Sequence, residues 1–173
     1  TFGGQNRFPI WSPDGQRVAF QSDREGDLGI FAQRADGNGP VERLTKASNG
    51  DAHVPESWSP DGRHVSFSVI NKAAFSLWML STDDKKATPF GVESHEVIGS
   101  VFSPDGRWIA YTFNPNLPGR GSVAPATRGV YIQPFPATGP RSQTPRQRID
   151  SHPACGPDRT GRVFVPSGAS GRP

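Results

Sequence analysis

The residues best placed to do chemistry are three aspartates, Asp14, Asp61 and Asp105, each inside the same short string. Trp11 to Gly15 and Trp58 to Gly62 read WSPDG, and Phe102 to Gly106 read FSPDG. Copied carboxylates could be metal ligands or general acids. The same letters are also a recipe for backbone geometry. Proline presets φ near about −65° at the second turn position, Ser or Asp can bond a nearby backbone N–H, and Gly takes the left-handed conformation that closes a type I turn with a bulge. Ser12, Pro13, Asp14 and Gly15, with Ser59, Pro60, Asp61 and Gly62 and with Ser103, Pro104, Asp105 and Gly106, are therefore read as corners of a copied unit rather than as three acidic sites.

Histidine supplies the remaining candidates. His53 and His152 stand just before prolines that lead into a turn (His53-Val54-Pro55 and His152-Pro153), and His95 occupies a comparable lead-in. These three could face a ligand or metal around a central channel; the plainer alternative is a satisfied polar residue at a unit's edge. Cys155 is the single cysteine, so no internal disulfide and no cysteine metal cluster can form. The G-x-S-x-G elbow is absent, as are H-R-D and D-F-G, and SHEVIGS lacks the second histidine of H-E-x-x-H. DGNGPV (Asp36 to Val41) reads as a hairpin turn rather than a phosphate loop. The acidic run SDREGDLG (Ser22 to Gly29) departs from the twelve-residue Ca²⁺ pattern and reads as a solvated loop. No catalytic residue, cofactor or metal ligand is expected.

The elements around these residues repeat. Pro13 to Pro60 is 47 residues, Pro60 to Pro104 is 44, and a worn fourth copy, HPACGPDRTGRVFV, places Pro157 another 53 on. Each turn is followed by an alternating segment, RVAFQS, HVSFSV, WIAYTF or RVFVPS, which is the strand signal. A second strand (GIFAQ, SLWML, GVYIQ) and a short third run (PVERLT, KATPFG, RSQTPR) come next. With the lead-ins NRFPIW, VPESW and IGSVF, each unit holds about four short strands, the pattern of a propeller blade. Nine extra residues in the Pro/Gly-rich segment Asn114 to Arg128 account for the long last step. The units fall at approximately 5–50, 51–96, 97–149 and 150–173, the last incomplete.

Bulk properties agree with an all-β chain. Gly 20 and Pro 18 are roughly twice the average share, and helix-favouring runs are missing. Residues 1 to 113 carry 11 basic and 14 acidic side chains, residues 114 to 173 carry 8 and 2. The eight arginines of the last part are dispersed and not interleaved with aromatics, so no nucleic-acid partner is expected. No segment has the run of about eighteen apolar residues of a membrane helix. The chain starts at Thr1, without an initiator Met, and reads as a piece of something longer.

The pattern P-x-WSPDG-x-x-V-A-F-x-S, followed by G-I-F and R-L-T, resembles the WD-repeat-like β-propeller repeat of the TolB family. That blade type also occurs in the non-catalytic propeller of prolyl oligopeptidase-type serine peptidases. The run from PVERLT through SWSPDG, LWML, FSPDGRWIAY and VYIQPFP to HPACGPDRTGRVF is similar to the propeller fused to bacterial transmembrane serine/threonine kinases. The resemblance implies four-stranded antiparallel blades, about three and a half of them, from a six-bladed propeller whose missing blades pack against this chain. It further implies a protein or peptide partner and an extracytoplasmic or periplasmic location. The alternatives are the substrate-gating propeller of a peptidase whose catalytic domain lies elsewhere, and a purely structural piece. The fourth copy departs from the pattern, with Cys155-Gly156 in place of WS and Arg159-Thr160 inserted before Gly161.

Overall fold

The structure, a computed structural model, describes residues 4–48, 50–72, 74–91, 97–113 and 129–143, together with two short strands at 154–155 and 163–164. Its elements are strands and turns, with no helix among the described residues. The first sheet runs β1 (Asn6–Trp11), β2 (Arg17–Ser22), β3 (Gly29–Arg34) and β4 (Glu42–Arg43). The second runs β5 (Ala52–Trp58), β6 (His64–Ile70), β7 (Phe75–Ser81) and β8 (Ala87–Pro89), and the third β9 (Val97–Phe102), β10 (Trp108–Phe113), β11 (Gly129–Pro134) and β12 (Ser142–Gln143). Each is an antiparallel meander in sequence order. β13 (Ala154–Cys155) pairs with β14 (Val163–Phe164) and approaches β9, as β9 approaches β5 and β5 approaches β1.

Alternation along the strands gives each sheet two unlike faces. One is bulky: directly opposed aromatic pairs stand on the two middle strands, Phe20 with Phe31, Phe67 with Trp78 and Tyr111 with Tyr131. The other face is smaller, with Ala19, Ile30 and Ala32 in the first sheet and Ser66, Ser68, Leu77 and Met79 in the second. The bulky face of the second sheet packs on the smaller face of the first, bringing Val65, Phe67, Val69 and Leu80 against Ala19, Ile30, Ala32 and Leu44. The next junction repeats this, with Phe102, Ile109, Tyr111, Phe113 and Tyr131 against Leu77, Met79 and Phe90. The two cores are therefore the spaces between sheets.

Among the described residues, the first sheet shows the bulky face without a neighbour. Trp11 is 63% exposed, whereas Phe102 in the matching place of the third sheet is 4% exposed, and Trp58 in the second packs against the first core. Phe31 on this open side is nevertheless buried, because the guanidinium groups of Arg24 and Arg43 lie over its ring at 5.2 and 5.4 Å.

Burial sets the expected cost of truncation at these places. Phe67 is completely buried between two sheets, so Phe67→Ala should cost about 3–5 kcal/mol, whereas Trp11→Ala should cost under about 1 kcal/mol. Urea unfolding midpoints of the two variants check this, and equal losses would contradict the serial packing.

Candidate functional site

The three copied turns fold identically. In the first, the Gly15 N–H donates to the Ser12 carbonyl (2.9 Å), and the Ser12 hydroxyl donates to Asp14 Oδ1 (2.5 Å) while accepting from the Arg17 N–H (2.8 Å). Asp14 Oδ1 also accepts from the Gln16 N–H at 3.0 Å. Ser59, Asp61, Gly62, Arg63 and His64 reproduce the set, as do Ser103, Asp105, Gly106, Arg107 and Trp108. The glycines have φ of +67°, +76° and +70°, where a side chain is strained.

These bonds also set the electrostatics. The Ser12 hydroxyl, and then the Gln16 N–H, hold the Asp14 carboxyl below its ordinary value, and Ser59 and the Arg63 N–H do the same for Asp61. Asp105 is lowered to about 2 by Ser103, the Arg107 N–H and the Arg107 side chain. A carboxylate so firmly ionised has no proton to give at neutral pH and is a weak base. The arrangement suits turn closure better than acid–base work.

The turns also touch one another across the junctions. A Cβ on Gly62 would lie 3.7 Å from Pro13 Cγ, and one on Gly106 would lie 3.6 Å from Pro60 Cδ. Between the first two turns an open groove of about 540 Å³ is lined by Pro13, Asp14, Trp58, Asp61, Thr82 and Asp83, among others. Trp58 is fixed there by its indole N–H, which donates to the Gly62 carbonyl at 2.9 Å, and the Thr82 hydroxyl donates to the same oxygen at 3.0 Å.

His53 lies near the start of β5. Its Nδ1 is 2.9 Å from the Thr45 hydroxyl, its ring lies 5.2 Å from that of Phe67, and its carbonyl accepts from Gln21 Nε2 at 2.9 Å. Burial pushes its pKa below the ordinary value, with Asp51 and Asp27 pulling the other way. His95 and His152 lie outside the described residues. The acidic loop after Ser22 is structural: Arg43 pairs with Glu25 (2.5 Å) and Asp27, closing the loop onto β4. Among the described residues no group of three His, Cys, Asp or Glu side chains could hold a metal ion.

One polar centre is not evident from motif reading. Glu56 is the extra residue of a β-bulge, since Pro55 pairs with Phe67 and Ser57 with Ser66. The bulge turns its carboxylate toward the third sheet, where it accepts from the Ser68 hydroxyl (2.5 Å), the Gly99 N–H (2.9 Å), the Ser100 N–H (2.7 Å) and the Ser100 hydroxyl. The available signal was an acidic residue in an inward lead-in (VPESW) opposite the alternating serines of HVSFSV.

Serially packed four-stranded antiparallel sheets, each turning its first hairpin at an SPDG corner, define a β-propeller segment. Over residues 1–120 the chain matches the PD40 family of TolB beta propeller domains, and it belongs to that family. It is 38% identical over 139 residues to the Tol-Pal system protein TolB of Anaeromyxobacter dehalogenans, a match covering 72% of this chain and 30% of that protein. It is 30% identical over 125 residues to the uncharacterized peptidase YuxL of Bacillus subtilis, covering 72% of this chain and 16% of that protein. A TolB-like structure from Agrobacterium tumefaciens superposes with a TM-score of 0.74 at 20% identity, over 91% of this chain and 53% of that one. That likeness speaks to the fold alone. The chain spans less than a third of either curated relative.

Two outcomes test the corner geometry. Gly62→Val should destabilise by about 2 kcal/mol or more, because a β-branched residue is forced to φ of +76° against Pro13, while Asp61→Asn, which keeps an acceptor, should cost under about 1 kcal/mol. Chemical denaturation of both variants compares them directly. In acid, the lowered carboxyls contribute stability that is complete above the unfolded value of 3.8 and is lost as pH falls toward about 2 for Asp105. Asp105→Asn should flatten the pH dependence of the unfolding midpoint in that window, and an unchanged profile would rule the contribution out.

Proposed function

We propose that the chain is a non-catalytic segment of a β-propeller that binds a protein or peptide partner. The setting is an extracytoplasmic protein of the TolB type or the sensor region of a bacterial transmembrane serine/threonine kinase. One observation carries the reading. The copied acidic residues are engaged in the corners of a TolB-type stack of sheets, and the same corners frame an open groove on the surface. The kinase setting draws on the likeness of the run from PVERLT to HPACGPDRTGRVF to kinase-fused propellers. In either setting the open side of the first sheet, with Trp11 and Phe8, packs against another blade of the parent propeller.

Partner capture by the parent protein tests this. A specific extracytoplasmic protein should be retained by the parent and released when Asp83, at the groove, is changed to Arg; a parent that retains nothing through this region would overturn the reading.

A second reading rests on the match to YuxL, which is named as a peptidase. There the segment would be the gating propeller of a serine peptidase, with chemistry in another domain. The flanking coding sequence discriminates: a kinase domain and membrane helix upstream fit the first reading, and a G-x-S-x-G domain downstream fits the second.

A further inference from the structure

We propose that Glu56 is a proton-responsive latch between the second and third sheets, taking up a proton in the folded chain on mild acidification and tightening the junction as it does. Glu56 itself keeps some accessible surface, but its carboxylate is withdrawn between β5, β6 and β9 and meets no ion-pair partner among the described residues. Its four hydrogen-bond donors are of two kinds. The N–H groups of Gly99 and Ser100 can only donate and favour the anion. The hydroxyls of Ser68 and Ser100 can turn and accept, so they serve the acid form equally well.

A path for that reversal is present. The Ser100 hydroxyl lies 2.9 Å from Ser66 Oγ, and the Ser66 hydroxyl donates to the Ser57 carbonyl at 3.2 Å. When Glu56 carries a proton it donates to Ser100 Oγ, and Ser100 then donates to Ser66. No hydrogen bond is lost, and the cost of holding a charge between the sheets without a countercharge disappears.

Neighbouring ionisable groups are directed elsewhere. His53, on the same strand, is bound to Thr45; His64 of β6 packs its ring on Phe135; Arg7 of β1 bonds Gln5; and β7 and β9 carry no ionisable side chain. Burial accordingly raises the carboxyl above its ordinary value of 4.5, with the bonds from Ser100, Ser68 and the two N–H groups opposing it. A group raised on folding contributes stability that is full below the unfolded value and is lost as pH rises through the folded one.

The test is a ¹³C titration of the Glu56 carboxyl in the 173-residue chain, paired with thermal unfolding of wild type and Glu56→Gln from about pH 4 to pH 8. The expected result is a carboxyl midpoint above the ordinary 4.5, with wild type losing Tm relative to Glu56→Gln as pH rises. Ser66→Ala, which removes the relay's far end and keeps Glu56, should lower the midpoint and serves if Glu56→Gln does not fold. A wild-type midpoint at or below 4.5, or a Ser66→Ala midpoint equal to wild type, overturns the proposal.

Discussion

A four-stranded sheet of three six- or seven-residue strands and a short outer one has two faces and can bury neither by itself, and the rest of this structure follows from how that constraint is met. The solution is directional. Each sheet offers aromatics on one side and smaller residues on the other, so aromatic pairs such as Phe67 with Trp78 fill the room that Ala19 and Ala32 leave on the preceding sheet. Face-to-face packing with this polarity propagates in one sense, and the corner turns keep it in step. A Cβ at Gly62 or Gly106 would stand in ordinary van der Waals contact with Pro13 or Pro60, so glycine is required there for its left-handed φ while the prolines of one corner lie beside the next. One short string thus closes each hairpin and seats it on its neighbour.

The inner strands show how two junctions of one plan can differ in detail. β1, β5 and β9 each carry a register shift at the matching place, and a bulge leaves backbone groups without ladder partners. In β5 the bulge begins at Pro55, which has no N–H to satisfy, and β1 has Pro9 where β5 has Glu56. In β9 the bulge holds Gly99, whose N–H needs an acceptor, and Glu56 supplies it at 2.9 Å. The first junction is stitched differently, by Gln21 reaching the His53 carbonyl and by the His53 N–H donating to the Leu28 carbonyl at 2.9 Å. Polar groups placed between sheets answer to the local needs of the backbone rather than to the repeat.

That difference explains what the sequence disclosed. The corners were legible because SPDG acts locally: every bond that defines the turn lies within five residues, so the letters suffice. The strand order was legible from period-two alternation, and the short outer runs at Glu42–Arg43, Ala87–Pro89 and Ser142–Gln143 occupy the places read for them. Glu56 was not legible, because its partners are set by a bulge and lie 12 to 44 residues away. His53 drew attention for preceding a proline, yet its ring answers to Thr45 and Phe67, neither of which the lead-in pattern specifies.

The same distinction bears on where function can lie. A residue repeated in every unit is under a constraint that every unit shares, which is closing a hairpin and packing on the next sheet. A partner or ligand, by contrast, meets the assembly from outside and needs groups that break the repetition. The carboxylates of Asp14, Asp61 and Asp105 are ionised and bonded within their own turns, so repetition there speaks for architecture. Departures from the repeat are the informative places: Thr82 at the groove, where the matching positions hold Ala35 and Phe135, and Glu56 where the other inner strands have Pro9 and Ser100. In a fold that hosts many roles, specificity is built from such exceptions laid over a common frame.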